Sequence, residues 1–262
     1  MPPSRLFLRE SKQIKQISRS VSLTLVPILR FTPWLVSLRS PQFVALVIGF
    51  VIISILIDRG VMSTVDSAIA QYFKSIEGNN QFDQTMVGIA SLGDIFSLVL
   101  VAIILTIIRR TRKAGMVFLM AIVVISISTM YLKTIFERHS PAYSYKPIIY
   151  VPKYFSLEED SFSPSARDFS YPSNHVAVTT AFAFIIGFIM SRRSMVAGLL
   201  IWLFPLINAI ARLYLMQHYL SDIIGGFLWG LIICLILANL MKLDQPFLMS
   251  RFKHNEDVTK NL

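Results

Sequence analysis

Within residues 208–222 three ionisable side chains stand between two long apolar runs: Arg212, His218 six residues on, and Asp222 four residues after that. If the chain is helical from Leu215 onward, His218 and Asp222 lie on one face, one turn apart. A carboxylate in that position takes the proton of one imidazole nitrogen and leaves the other as a nucleophile. The plainer reading is three polar residues at the junction of two membrane helices. The rest of the chain decides between the two.

Two further clusters sit beside apolar runs. Lys133 and Arg138 close one run, and Pro172-Ser173-Asn174-His175 opens another. Ser173 or Asn174 can cap the helix that begins there, and the N–H groups of its first turn then face any anion in front. A second helix begins at His218 and Asp222. Two helix N-termini together with Lys133, Arg138 and Arg212 describe a phosphate cradle. Phosphoryl transfer needs such positioned positive charge, a nucleophile and a proton donor for the leaving group.

The elements that must position these residues are membrane spans. The 262 residues are 54% hydrophobic and 15% charged, where a soluble domain carries about a quarter charged residues. Charge-free runs reach spanning length repeatedly, at residues 40–57, 95–108, 114–132, 176–191, 194–211 and 223–241. The expected fold is therefore all-α, a polytopic membrane protein of six transmembrane helices. The run at 95–108 is short and borrows from the apolar stretch before Asp94. Residues 61–93 read as one or two amphipathic pieces on the outer surface, carrying Asp66, Lys74, Glu77 and Asp83. Residues 1–39 form a basic interfacial segment and residues 242–262 a polar tail, leaving 40–241 as the membrane domain. No small-residue cleavage pattern follows the apolar piece at 23–36, so a removable signal peptide is not expected.

The net charge of +10 does not point to nucleic acid, because of where it falls. Six spans put both termini on one side, and that side holds 17 of the 25 lysines and arginines. The positive-inside rule places it in the cytoplasm. Lys133, Arg138, His175, Arg212, His218 and Asp222 then all fall at the outer ends of spans three to six. Charges at the edge of a bilayer core are costly unless paired or used, and two of only four histidines share this depth. The single cysteine, Cys234, allows neither a disulfide within the chain nor a cysteine-based metal site.

The three blocks, in this order and at these intervals, resemble the type 2 phosphatidic acid phosphatase (PAP2) superfamily. Its pattern is K-x6-R-P, then P-S-G-H, then S-R-x5-H-x3-D. Here the blocks run from Lys133 to Ser140-Pro141, over Pro172-Ser173-Asn174-His175, and from Ala211-Arg212 through His218 to Asp222. The resemblance implies a PAP2-like helical core and a metal-independent lipid phosphatase without cofactor. It implies His218 as the nucleophile that forms a phosphohistidine, Asp222 as its orienting carboxylate, and His175 as general acid. Lys133 and Arg212 become phosphate ligands, with Ser173 and Asn174 lining the same site.

Three departures from the pattern stand out. Ala211 replaces Ser, and Asn174 replaces Gly in a turn where Asn tolerates a left-handed conformation. Ser140 replaces the Arg of the first block, and Arg138 is the natural substitute, ahead of Lys146 and Arg167. The loop aromatics Tyr143, Tyr145, Tyr150, Tyr154 and Phe155 fit either a headgroup cover or an interfacial belt. Glu158, Glu159 and Asp160 read as a solvated loop tip, and Trp202 and Trp229 as lipid-facing or packing residues.

The expected substrate is a lipid phosphate or pyrophosphate monoester in the bilayer, of the undecaprenyl pyrophosphate, phosphatidic acid, phosphatidylglycerol phosphate or lipid A type. A phosphotransferase passing the same phosphoryl group to a lipid acceptor is the neighbouring alternative. A catalytically silent lipid-binding protein is the alternative from another class. The expected location is the cell (inner) membrane, with the site facing the periplasm or exterior; no oligomeric state is implied. In a Cys234→Ala background, Ser161→Cys should react with a membrane-impermeant thiol reagent in intact cells and Ser194→Cys should not. The reverse pattern would overturn this topology.

Overall fold

Once water is excluded, a long apolar run can satisfy its backbone only internally, so each run folds as a helix. The computed structural model describes residues 36–145 and 169–245. Residues 1–35 of the basic segment, the loop positions Lys146, Tyr150, Tyr154, Phe155, Glu158, Glu159, Asp160, Ser161 and Arg167, and most of the tail lie outside the described residues. The described chain is helical, with one isolated antiparallel bridge, His139 to Phe169. In order the helices are α1 Pro41–Asp58, α2 Ser63–Ser75, α3 Asn80–Leu92, α4 Ile95–Ile107, α5 Arg112–Phe136, α6 Pro141–Tyr145, α7 Asn174–Ser191, α8 Met195–Leu200, α9 Leu203–Tyr214 and α10 Leu220–Leu240.

Five runs are long and apolar enough to cross a membrane: α1, α5, α7, α8 with α9, and α10. The pair α3 and α4, bent by 43°, passes the same test only when taken together, as a broken span or a re-entrant loop. The fifth span runs on to Tyr214, with a break between α8 and α9 at residues 201–202.

α7 is the central helix. It packs against α4, α5, α8, α9 and α10, and α10 packs in turn on α1 and α5. Ile48, Ile55, Phe96, Leu100 and Ile127 point outward, where lipid tails are as apolar as they are. Helices in such surroundings associate by close packing of small residues rather than by hydrophobic burial. Gly226 and Gly230 of α10 show this directly. A Cβ at Gly226 would stand 2.4 Å from the Ser173 carbonyl oxygen, and one at Gly230 2.5 Å from that of Ala177. The missing side chains let the first turn of α7 and the second and third turns of α10 lie backbone against backbone. The Ser173 N–H donates to the Asp222 carbonyl across that contact, at 3.2 Å.

Residues 61–93 are not merely surface pieces. They do form two helices, but Asp66 and Asp83 are buried, and α3 packs on α9. Asp83 accepts a hydrogen bond from the Tyr214 hydroxyl, and the Asn208 amide donates to the Ile89 carbonyl at 3.0 Å. Helical periodicity placed these acids on a wet face, because partners so distant in sequence leave no mark on it. Trp229 packs on Phe50 and donates its indole N–H to Ser128 Oγ at 2.8 Å, the packing role of its two readings.

Candidate active site

The C-terminal ends of α5 and α9 meet the N-terminal ends of α4, α7 and α10 at one end of the bundle. His218 sits among them, buried, but not on the helix expected for it. α9 ends at Tyr214 and α10 starts at Leu220, with Met216 in the left-handed region at φ 55°, so His218 lies in the turn between. Its Nδ1 is 3.0 Å from the Ser170 carbonyl oxygen and 3.9 Å from Asp222 Oδ2. The nearer acceptor is thus a backbone carbonyl, with the carboxylate behind it. A proton held on Nδ1 in this way puts the ring's lone pair on Nε2.

Asp222 is engaged chiefly elsewhere. Its Oδ2 accepts the Tyr219 N–H at 2.8 Å, and its Oδ1 is 2.6 Å from Arg138 Nη1. Arg138 does not point into a cradle with Arg212. Its Nη1 also donates to Ser221 Oγ at 2.6 Å, its Nη2 meets Asp66 Oδ2 at 2.6 Å, and its guanidinium lies over the Tyr219 ring at 4.5 Å. Burial alone would lower the Arg138 pKa, but the Asp222 and Asp66 carboxylates outweigh it and hold it above its ordinary value. Asp66 Oδ1 accepts the Ser221 N–H at 3.0 Å. Carboxylates therefore already occupy N–H groups at the start of α10, and the second helix N-terminus of the expected cradle is taken.

The first helix N-terminus is built as expected. Ser173 caps α7, its Oγ accepting the Val176 N–H at 3.4 Å. Asn174 is the first residue of α7 and is not among the residues of positive φ, so it needs no left-handed turn. Its Oδ1 instead accepts from Thr129 Oγ1 of α5 at 3.1 Å. Lys133 is one turn further along that face of α5 and fully buried. Just before α7, Tyr171 is buried and its hydroxyl is 2.6 Å from Ser54 Oγ; burial pushes its pKa up to about 12, with the Ser54 hydrogen bond acting against it.

His175 and Arg212 converge on a residue that the sequence reading passed over. Asp94 Oδ1 lies 2.8 Å from Arg212 Nη2 and 3.4 Å from His175 Nε2. Arg212 Nη2 also donates to the Ala90 carbonyl at 2.9 Å, and its Nη1 to Gln217 Oε1 at 2.7 Å. The structure thus adds Asp66, Asp94, Ser170 and Ser221 to the cluster. Asp94 carried a signal, being a lone acid between apolar runs. Ser170, acting through its carbonyl, carried none. Among the described residues no group of three or more His, Cys, Asp or Glu side chains could hold a metal ion.

The PAP2 superfamily model matches residues 114–245, half of the chain and both histidine-bearing blocks. The chain belongs to the PAP2 superfamily. A solved structure, described as the first transmembrane PAP2 type phosphatidylglycerolphosphate phosphatase from Bacillus subtilis, is similar to it with a TM-score of 0.64 and 21% identity, covering 79% of this chain and 100% of that one. At that identity the likeness is one of fold. Comparison with curated proteins gives no match. The PAP2 pattern has Arg where this chain has Ser140, and the nearby Arg138 is given to two carboxylates instead.

Arg138→Ala leaves two buried carboxylates facing each other, and uncompensated buried charge of this kind costs about 3–5 kcal/mol. The thermal midpoint in detergent should fall markedly, and Asp66→Asn should remove much of that extra loss when combined with Arg138→Ala. A large loss of activity in Arg138→Ala at an unchanged midpoint would instead make Arg138 a substrate ligand.

Proposed function

We propose that the protein is a lipid phosphatase that hydrolyses a phosphate or pyrophosphate monoester of a lipid through a phosphohistidine at His218, at the membrane face opposite its termini. Membership of the PAP2 superfamily supports the reaction class. The observation that carries the mechanism is the Nδ1 of His218, fixed 3.0 Å from the Ser170 carbonyl. A nucleophilic imidazole needs its second nitrogen protonated and its ring immobilised, and this contact supplies both.

In the proposed first step, His218 Nε2 attacks phosphorus and the ester P–O bond breaks. His175 gives a proton to the departing lipid alkoxide or, where a pyrophosphate is attacked at its terminal phosphorus and the anhydride P–O bond breaks, to the departing lipid monophosphate. The imidazole becomes cationic as the N–P bond forms, and Asp222, 3.9 Å from Nδ1, opposes that charge. In the second step His175 takes a proton from water, which attacks the phosphohistidine and releases inorganic phosphate. Arg212, Lys133 and the N–H groups that open α7 offset charge on the phosphoryl oxygens. Arg138 acts at one remove, by holding Asp222.

Phosphate release by purified protein from a panel of lipid phosphates tests this reading. Phosphatidylglycerol phosphate belongs in the panel, since the structurally similar protein is described as acting on it. Label passing to a second lipid instead of to inorganic phosphate would make the enzyme a phosphotransferase. His218→Ala should abolish release from every ester. His175→Ala should slow release from a lipid ester by about 10²–10⁴-fold, the usual contribution of a general acid. It should retain much more activity toward an aryl phosphate, whose leaving group needs no proton. Equal residual activity of the two variants on the aryl ester would contradict the assignment of roles.

A further inference from the structure

Asp94 is the N-cap residue of α4, with the extended backbone of a cap (φ −67°, ψ 147°), yet its side chain makes no capping hydrogen bond. An aspartate in that position ordinarily accepts an N–H of its own helix's first turn. Here the carboxylate turns away, to Arg212 at 2.8 Å and His175 at 3.4 Å. Its side chain is 35% exposed, where that of Arg212 is 2% exposed. The Arg212 guanidinium also donates to the Ala90 carbonyl and the Gln217 amide oxygen, both neutral. Asp94 is thus an accessible and charged partner of the arginine proposed to hold phosphate. Its oxygen stands where a phosphoryl oxygen shared by Arg212 and His175 would stand.

We infer that Asp94 is a specificity-determining residue, an internal anion that a substrate phosphate must displace from Arg212 and His175, which sets a charge threshold for entry. This rests on the reading of Arg212 as a phosphate ligand. A phosphomonoester brings close to two negative charges, one more than the carboxylate it replaces. A phosphodiester brings one, so it gains nothing over Asp94 on the same cations and meets its repulsion once displaced. The bilayer around the site consists largely of diester headgroups at the same depth, and an arginine without this counter-anion would collect them. The displaced side chain has somewhere to go. Rotation toward α4 brings it to the N–H groups of Phe96 and Ser97, the second and third residues of that helix, and restores the cap it now forgoes.

The test uses the full-length protein in detergent and reads binding from ligand-induced shifts of the thermal midpoint, with no turnover needed. The probes are inorganic phosphate and dihexanoylphosphatidylglycerol, a monoanionic diester. Wild type should be shifted by phosphate and not by the diester. Asp94→Asn, and Asp94→Ser, which keeps a capping oxygen without the charge, should bind phosphate about tenfold more tightly. Both should also respond to the diester, and diester should inhibit their residual phosphatase activity competitively. If both variants respond to the two ligands as wild type does, or lose the response to phosphate, Asp94 is a positioning residue and the threshold is overturned. Arg212→Ala separates the two readings. If it loses the phosphate shift while the Asp94 variants behave as wild type, only the threshold fails. If it keeps the wild-type shift, Arg212 is not a phosphate ligand and both readings fail.

Discussion

The Arg138 guanidinium, held between Asp66 and Asp222 at 2.6 Å on each side, ties together the three parts of the chain that shape the histidine's surroundings. It lies just beyond the end of α5, Asp66 is on α2, and Asp222 opens α10. Charges at the rim of a hydrocarbon core are costly unless each has a partner, so this trio fixes where the three elements sit. Its effects reach His218 by short steps. Asp222 gives Oδ2 to the Tyr219 N–H and its carbonyl to the Ser173 N–H, which seats the start of α7. The Arg138 carbonyl accepts the Ser170 N–H at 2.7 Å, and the Ser170 carbonyl is the group that meets Nδ1 of His218.

A second charged knot lies on the other side of the histidine, formed by Arg212, Asp94 and His175. Its anchors are also distant in sequence, the Ala90 carbonyl at the end of α3 among them. Close by, Tyr214 and Asp83 pin α3 to the end of α9. The two knots differ in kind. Asp66 and Asp222 are buried and serve the framework, whereas Asp94 is open to the outside. Arg138 bridges two buried carboxylates, whereas Arg212 faces one that is 35% exposed. On that contrast rest the different roles proposed for Arg138 and Arg212.

Much of this was legible in the sequence because the bilayer imposes simple constraints. Apolar length set the five candidate spans that stand alone. The spacing of Lys133, His175, Arg212, His218 and Asp222 brought the family into view. What could not be read was pairing across the chain. Asp66 and Asp83 sat at polar positions of amphipathic helices, and nothing local distinguishes a wet carboxylate from one buried against an arginine 72 residues away. Sequence also does not show that the chain turns at residues 215–219, where Met216 adopts a left-handed backbone and the helix begins only at Leu220. Arg138 stands close to Ser140 along the chain, but sequence does not show which distant carboxylates, here Asp66 and Asp222, a cation meets.

The central claim is that His218 becomes covalently phosphorylated. Mixing the enzyme with a lipid monophosphate carrying ³²P, quenching in alkali within the first turnover and mapping the labelled peptide tests it directly. The account predicts label on the peptide that holds His218, stable in alkali, lost in mild acid, and absent from His218→Ala. Acid-stable label, label on another residue, or phosphate release at the full rate with no trapped label at any time point would contradict it.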